Sequence, residues 1–287
     1  MGFVVLAVLC SVAVSVLLRW ARDARVDVPQ AVTWNYLAAT LLCALLLQPV
    51  PAEVFAPAAP WGGWLALGVL LPTLFVLLGR SVQRAGIVRT DIAQRLSLLL
   101  SLLAAFTLFG ERANGLRLLG LGLGLLALPC LLARPRHARG GASAAGQWLP
   151  LTVLVGFAAV DVLLKRIALD GTPLAVSLLA TFAIAFLPML GWQLLRHARG
   201  QAALTLRNAW AGLLLGVLNF GNIYFYLRAH RALSDHPSLV FASMNVGVVL
   251  LGTLVGVAVY RERLSRLNLA AIPMAVAAIV LIGLGAE

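Results

Sequence analysis

Asp91 and Arg95 stand four residues apart near the start of an otherwise apolar stretch, Ile87 to Arg112. On a helix that spacing puts an acid and a base on one face, where they can pair across a turn. Thr90, Gln94, Ser97 and Ser101 continue a polar stripe at i, i+4, i+7 and i+11. A mid-helix charge in a bilayer costs about 2.5 to 3.5 kcal/mol, so such groups are expected to face a cavity or one another. Two readings follow for Asp91 and Arg95: a substrate-lining pair, or a staple that anchors the helix near the interface. Asp161 and Lys165 repeat the i, i+4 pattern in a later run. Lys165 can snorkel to the interface, leaving Asp161 as an inward carboxylate able to bind a cationic group or carry a coupling proton. In NFGNIYFY, Asn219, Asn222 and Tyr226 share one face at i, i+3 and i+7. That face suits either a polar, partly organic ligand or hydrogen bonding between helices. Ser11 and Ser15 are weaker candidates, because serine can satisfy itself on its own helix backbone.

Other chemistries find little here. There is no HExxH, GxSxG or P-loop, and His137, His197, His230 and His236 all lie in or beside basic loops. Cys10, Cys43 and Cys130 sit in apolar runs without CxxC spacing, so no disulfide framework or metal site is expected. Gly122 to Ala127 fits GxGxxA but lies inside an apolar run with no preceding strand, so it reads as helix packing and no cofactor is expected.

The elements that must position these residues are set by composition. The chain of 287 residues is 62% hydrophobic and 11% charged, against about a quarter charged in soluble domains. Apolar runs of about 20 residues follow one another with short basic loops between, which places the chain in a bilayer, among lipids. Ten spans are expected, at 3–19, 32–48, 61–79, 88–109, 115–133, 148–165, 174–195, 209–227, 238–260 and 267–285. They are too long for membrane-barrel strands and should all be helices. The first is a retained span and not a cleaved leader, since it starts without a positive charge and ends in arginines. The net charge of +12, carried by arginines and Lys165, flanks these runs and needs no nucleic-acid partner. The pairs Gly120/Gly124, Gly212/Gly216 and Gly252/Gly256 have the spacing that lets helix backbones approach closely. The tryptophans near span ends read as interfacial belting, with Trp34 the expected exception.

The chain also repeats itself. Ile87 to Arg112 aligns without gaps on Ser238 to Arg263, setting Gln94 opposite Asn245 and Glu111 opposite Glu262. Ser15-Val-Leu-Leu-Arg19 matches Asp161-Val-Leu-Leu-Lys165, and Leu37-Ala-Ala-Thr40 matches Leu178-Leu-Ala-Thr181. The expected organisation is a five-helix repeat over 1–134, a linker over 135–147 and a second repeat over 148–287. Five spans per repeat is an odd number, so the second half enters the membrane inverted. Lys and Arg favour the odd-numbered loops, and the bias reverses between equivalent loops, as inversion requires; the odd loops are then cytoplasmic and both termini outside. Glu111 and Glu262, beside arginines at span ends, read as caps or loop ion pairs.

A ten-span duplication with Phe109-Gly-Glu111-Arg112 closing the fourth span and Tyr260-Arg-Glu262-Arg263 closing the ninth resembles the drug/metabolite transporter superfamily, EamA type. The resemblance covers nearly the whole chain, although its motifs are degenerate. It implies an all-α basket of ten helices in a bacterial inner membrane, with a central cavity lined mainly by spans one to four and six to nine. The implied activity is movement of small metabolites, often export of amino acids or similar solutes, by alternating access. Family members often carry a proline in the fourth and ninth spans where this chain has Ser97 and Val248, which leaves open whether either helix breaks there. The substrate contacts expected are Asp91, Gln94, Arg95, Asp161, Asn219, Asn222, Tyr226 and Asn245. The competing class is a membrane-embedded enzyme acting on lipid-linked substrates, for which no catalytic residue can be named.

Overall fold

The computed structural model describes residues 1–50, 54, 59–108, 114–132, 145–169, 171–233 and 237–285. Among them are ten α-helices and no strand: α1 (Gly2–Asp23), α2 (Val28–Leu47), α3 (Trp61–Ala85), α4 (Ile87–Leu108), α5 (Gly115–Leu132), α6 (Ala145–Leu169), α7 (Leu174–Ala198), α8 (Leu206–Ala232), α9 (Pro237–Ala258) and α10 (Arg266–Leu284). Each expected span falls on one helix. Seven of these helices, α1, α2, α3, α7, α8, α9 and α10, are long and apolar enough to cross a membrane, while α5 and α6 contain shorter apolar stretches. The remaining helix, α4, carries Arg89, Asp91 and Arg95 in its first turns. Both α4 and α9 run unbroken through Ser97 and Val248, so the missing prolines leave straight helical hydrogen bonding at those points.

The outward residues are the large apolar ones. Leu45, Leu119, Leu126, Leu187 and Leu254 are all exposed, which in water would be a liability and in lipid is the expected lateral surface. Trp20, Trp61, Trp148, Trp192 and Trp210 are exposed as belting requires, but Trp64 is 0% exposed, so it is the tryptophan that leaves the belt. Trp34 is partly buried and packs on α8 at Gly212.

The helices form two compact units, each drawing on both halves of the sequence. The first comprises Met1–Arg19, Leu77–Ala158 and Asn222–Glu287, the second Trp20–Val76 and Ala159–Gly221. In the first unit Val88, Ile92, Leu96 and Leu99 of α4 pack with Ala127 of α5, Val249 of α9 and Ala271, Ala275 and Ile279 of α10. A second cluster joins Val4, Ala7, Val8 and Val12 of α1 to Ala229 of α8 and Val240, Met244 and Val248 of α9. The glycine pairs act as their spacing predicts. A methyl at Gly120 would meet Ala278 and Ile282 of α10, and Gly252 and Gly256 of α9 lie against Asp91 and Val88 of α4. In the second unit Gly212 and Gly216 of α8 lie against Ala31, Asn35 and Ala38 of α2.

The second unit is pinned by a polar network at the start of α2. Asp27 caps α2, its Oδ1 accepting from the Gln30 amide at 3.1 Å, and its Oδ2 accepts from Arg196 Nη2 at 2.9 Å. Arg196 also donates to Gln193 Oε1 at 2.9 Å and lies over the Trp192 ring. Asn208 donates to Gln30 Oε1 at 2.9 Å, and Gln30 donates to the Ala203 carbonyl at 2.8 Å. α2 is thereby tied to α7 and α8 at one end.

Candidate functional site

The site is built on the first turn of α4. Gly86, with φ +95°, turns the chain from α3 into α4 in a conformation that side-chain-bearing residues rarely adopt. A methyl there would collide with the Glu262 carboxylate. Glu262, from the loop after α9, accepts from the Ile87 amide at 2.6 Å and the Val88 amide at 3.1 Å. A carboxylate on the exposed amides of a helix N-terminus satisfies orphan donors and meets the positive end of the helix dipole. Glu262 is therefore a cap, as its position at a span end suggested, and the helix it caps lies 175 residues away in sequence. Glu111 and the rest of its motif lie outside the described residues, as does most of the linker. Arg89 donates to Asn268 Oδ1 at 3.1 Å, and Asn268 donates to the Cys130 carbonyl at 2.9 Å, so α4 enters the unit at a fixed height.

From there a polar seam runs through α1, α4 and α9. Asp91 is 2% exposed, and its Oδ1 accepts from the Ser15 hydroxyl at 2.7 Å. Its Oδ2 has no hydrogen-bond partner among the described residues and faces Gly252 of α9. One turn further along α4, Arg95 donates to Asn245 Oδ1 at 3.1 Å and to the Ser11 hydroxyl at 2.8 Å. Asn245 is 6% exposed, and its amide nitrogen donates to the Phe241 carbonyl at 2.8 Å. The two serines of α1, four apart, thus meet the acid and the base of α4, four apart. Asp91 and Arg95 thus both hydrogen-bond to neighbouring helices, Asp91 to α1 and Arg95 to α1 and α9.

The rest of the α4 stripe is less uniform than its spacing implied. Thr90 is fully buried and shares a hydrogen bond of 2.8 Å with Ser81 of α3. Ser97 and Ser101 donate back to the Gln94 and Ser97 carbonyls of their own helix. Gln94 is half-buried, and its side-chain amide makes no hydrogen bond with the described residues. Gln94 and Asn245 occupy matching repeat positions, yet Asn245 is bonded to Arg95.

The other expected residues divide between the units. Asn222 and Tyr226 belong to the first: Asn222 donates to the Ala7 carbonyl of α1 at 3.4 Å, and Tyr226 sets its ring at 90° to His230 with centroids 4.6 Å apart. Asn219 belongs to the second, donating to Asn35 Oδ1 of α2 at 3.3 Å, and so does Asp161, half-buried on α6. The Lys165 side chain lies outside the described residues. Asn219 and Asn222 share a helix face but serve different partners, since each amide reaches the helix nearest to it. Sequence reasoning undervalued Ser11, Ser15 and Gly252. The signal for the serines was their i, i+4 spacing, matched to that of Asp91 and Arg95.

The seam thus brings one buried carboxylate, one guanidinium and the Asn245 amide together within the first unit. Residues 1–133 match the model of the EamA-like transporter family. Over 269 residues the chain is 38% identical to an uncharacterized protein of Haemophilus influenzae (strain ATCC 51907 / DSM 11121 / KW20 / Rd), covering 92% of this chain and 91% of the relative.

Proposed function

Because the chain belongs to the EamA-like transporter family, within the drug/metabolite transporter superfamily, we propose that it is a secondary transporter that moves small metabolites by alternating access. Its apolar helices make it an integral membrane protein. The reading continues with two inverted five-helix repeats, supported by the gapless match of the fourth and ninth spans and by the reversal of loop charge. The bacterial inner membrane is the proposed location.

The observation that carries a substrate role is the seam of α1, α4 and α9. Polar groups at this depth persist where they serve a ligand or each other, and here Gln94 presents an amide that the described residues do not engage. The next residue, Arg95, bonds its guanidinium to the Asn245 amide oxygen. A guanidinium with neighbouring amides suits a solute that carries a carboxylate and further hydrogen-bonding groups. Amino acids and related solutes are therefore the proposed class, with export the proposed direction. Asn222 and Tyr226, in the same unit as the seam, are proposed as further contacts.

The test is flux through purified protein in liposomes against a panel of amino acids, nucleosides, sugars and cations, with and without a pH gradient. Saturable movement of an amino acid, weakened by Gln94→Ala and Arg95→Ala at normal protein levels, is the expected result. Movement of none of the panel, or full activity in both variants, would remove the site.

A further inference from the structure

We propose that Asp91 is the proton-binding site of this transporter, and that taking up and releasing that proton is coupled to the packing of α4 against α9 at Gly252. The inference rests on the transporter reading and adds to it a coupling ion and a residue.

Four observations converge on Asp91. It is 2% exposed within an apolar helix, and Ser15 gives its carboxyl group one hydroxyl donor. Its second oxygen has no hydrogen-bond partner among the described residues. That oxygen abuts Gly252, where even a methyl group would collide with it. The charged groups around it have hydrogen-bond partners of their own. Arg95 of α4 donates to Asn245 and Ser11, and Glu262 after α9 accepts from the Ile87 and Val88 amides. Arg89 of α4 donates to Asn268, and Arg19 of α1 donates to the Gln83 carbonyl at 3.0 Å. On α3 the facing polar group is the neutral Ser81, whose hydrogen-bond partner is Thr90 of α4.

A buried anion with a bare oxygen is costly, and a neutral acid in the same place costs much less. With α4 packed on Gly252 the carboxyl group therefore holds its proton. When α4 and α9 separate and water reaches Oδ2, the O–H bond breaks, the proton leaves to water as hydronium and the carboxylate remains. Re-packing reverses the step, with no other bond made or broken. Gly252 is what makes the contact close enough for the proton to matter, and Ser15 is the positioning residue that holds the other oxygen.

The experiment is an infrared titration of the purified full-length protein, read at the carbonyl stretch of protonated carboxylic acids, with the pH profile of liposome flux alongside. Wild type is expected to show a titrating acid band that Asp91→Asn lacks. Ser15→Ala, which removes the donor to Oδ1, moves the band's titration to higher pH, and Gly252→Ala, which forces the helices apart, moves it to lower pH. Flux by Asp91→Asn, whatever its level, loses the pH dependence shown by wild type. A band unchanged by Asp91→Asn, or unmoved by both Ser15→Ala and Gly252→Ala, overturns the proposal. So does a band abolished by sodium at constant pH, which would make this a metal-cation site. Because the infrared arm needs no substrate, a failed flux panel would overturn the transporter reading and leave the proton site to be decided by the band.

Discussion

Two aspartates of this chain meet opposite fates. Asp27, in the second unit, caps α2 and accepts from both terminal nitrogens of Arg196, with the pair 24% and 19% exposed. Asp91, in the first unit, is almost fully buried, receives one hydroxyl and leaves an oxygen bare against a glycine. A carboxylate with both oxygens bonded, by an amide and a bidentate guanidinium, has its charge already matched within the fold, and its effect is to fix helix ends. One that is deeper and half-satisfied costs stability where it stands. Groups of that kind concentrate where charge must be bound or moved. Glu262 falls with Asp27, since both of its oxygens are held by the amides of α4. The difference between the acids is one of saturation, and it divides anchors from working groups.

Removing an anchor should therefore unfold the protein more easily without touching substrate recognition. The largest effect is expected for Glu262→Ala, which strips the acceptor from two amides at the head of α4. A buried donor left unsatisfied costs about 1 to 3 kcal/mol, so urea or thermal unfolding in detergent should show a loss in that range. Glu262→Gln, whose amide oxygen can still accept, should lose less. Asp27→Ala comes next, with about 1 to 2 kcal/mol lost from the helix cap and the partly exposed ion pair together, and an unchanged KM for transport. A variant of either acid that kept its stability but lost substrate affinity would break the division.

Much of this molecule was readable before its structure. Apolar runs near 20 residues located all ten helices, because a bilayer forces each run to close its own hydrogen bonds. The glycine spacings located close helix contacts for the same reason that small residues pack, and Gly120, Gly212 and Gly252 all meet neighbouring helices. Partners were harder. Periodicity says that Asp91 and Arg95 share a face, but it does not say which helix lies opposite that face. The i, i+4 rule describes a helix alone, whereas Ser15, Ser11 and Asn245 compete from α1 and α9 once the unit forms. Trp64 was misread as belting because its position near a span end carries no information about the lateral neighbour that buries it. The Asp27 network was missed entirely. Its members, Gln30, Gln193, Arg196 and Asn208, are spread over three helices and form no local pattern.

The working acid should answer to mutation in the opposite sense to the anchors. Asp91→Asn keeps an oxygen for the Ser15 hydroxyl and is neutral like the protonated acid it replaces, so its unfolding should come no earlier than that of wild type. Asp27→Asn, by contrast, should unfold earlier, because it discards the charge that Arg196 holds. Measuring the two variants side by side sharpens the comparison. A loss of more than about 1 kcal/mol in Asp91→Asn would place Asp91 among the anchors.

The smallest effect on folding and the clearest on transport belong together at Gln94. Its side-chain amide is half-buried and makes no hydrogen bond with the described residues, so truncating it leaves no orphaned partner behind. Stability of Gln94→Ala should stay within about 0.5 kcal/mol of wild type. If the amide bonds the solute, one neutral hydrogen bond of about 0.5 to 1.5 kcal/mol is lost, which raises KM by roughly 2- to 10-fold with little change in maximal rate. Ser97→Ala is the matched control one turn away, since that hydroxyl is already spent on the Gln94 carbonyl at 2.7 Å. Equal KM values for the two variants would show that openness to a ligand, as judged from an unengaged amide, does not mark the substrate path on α4.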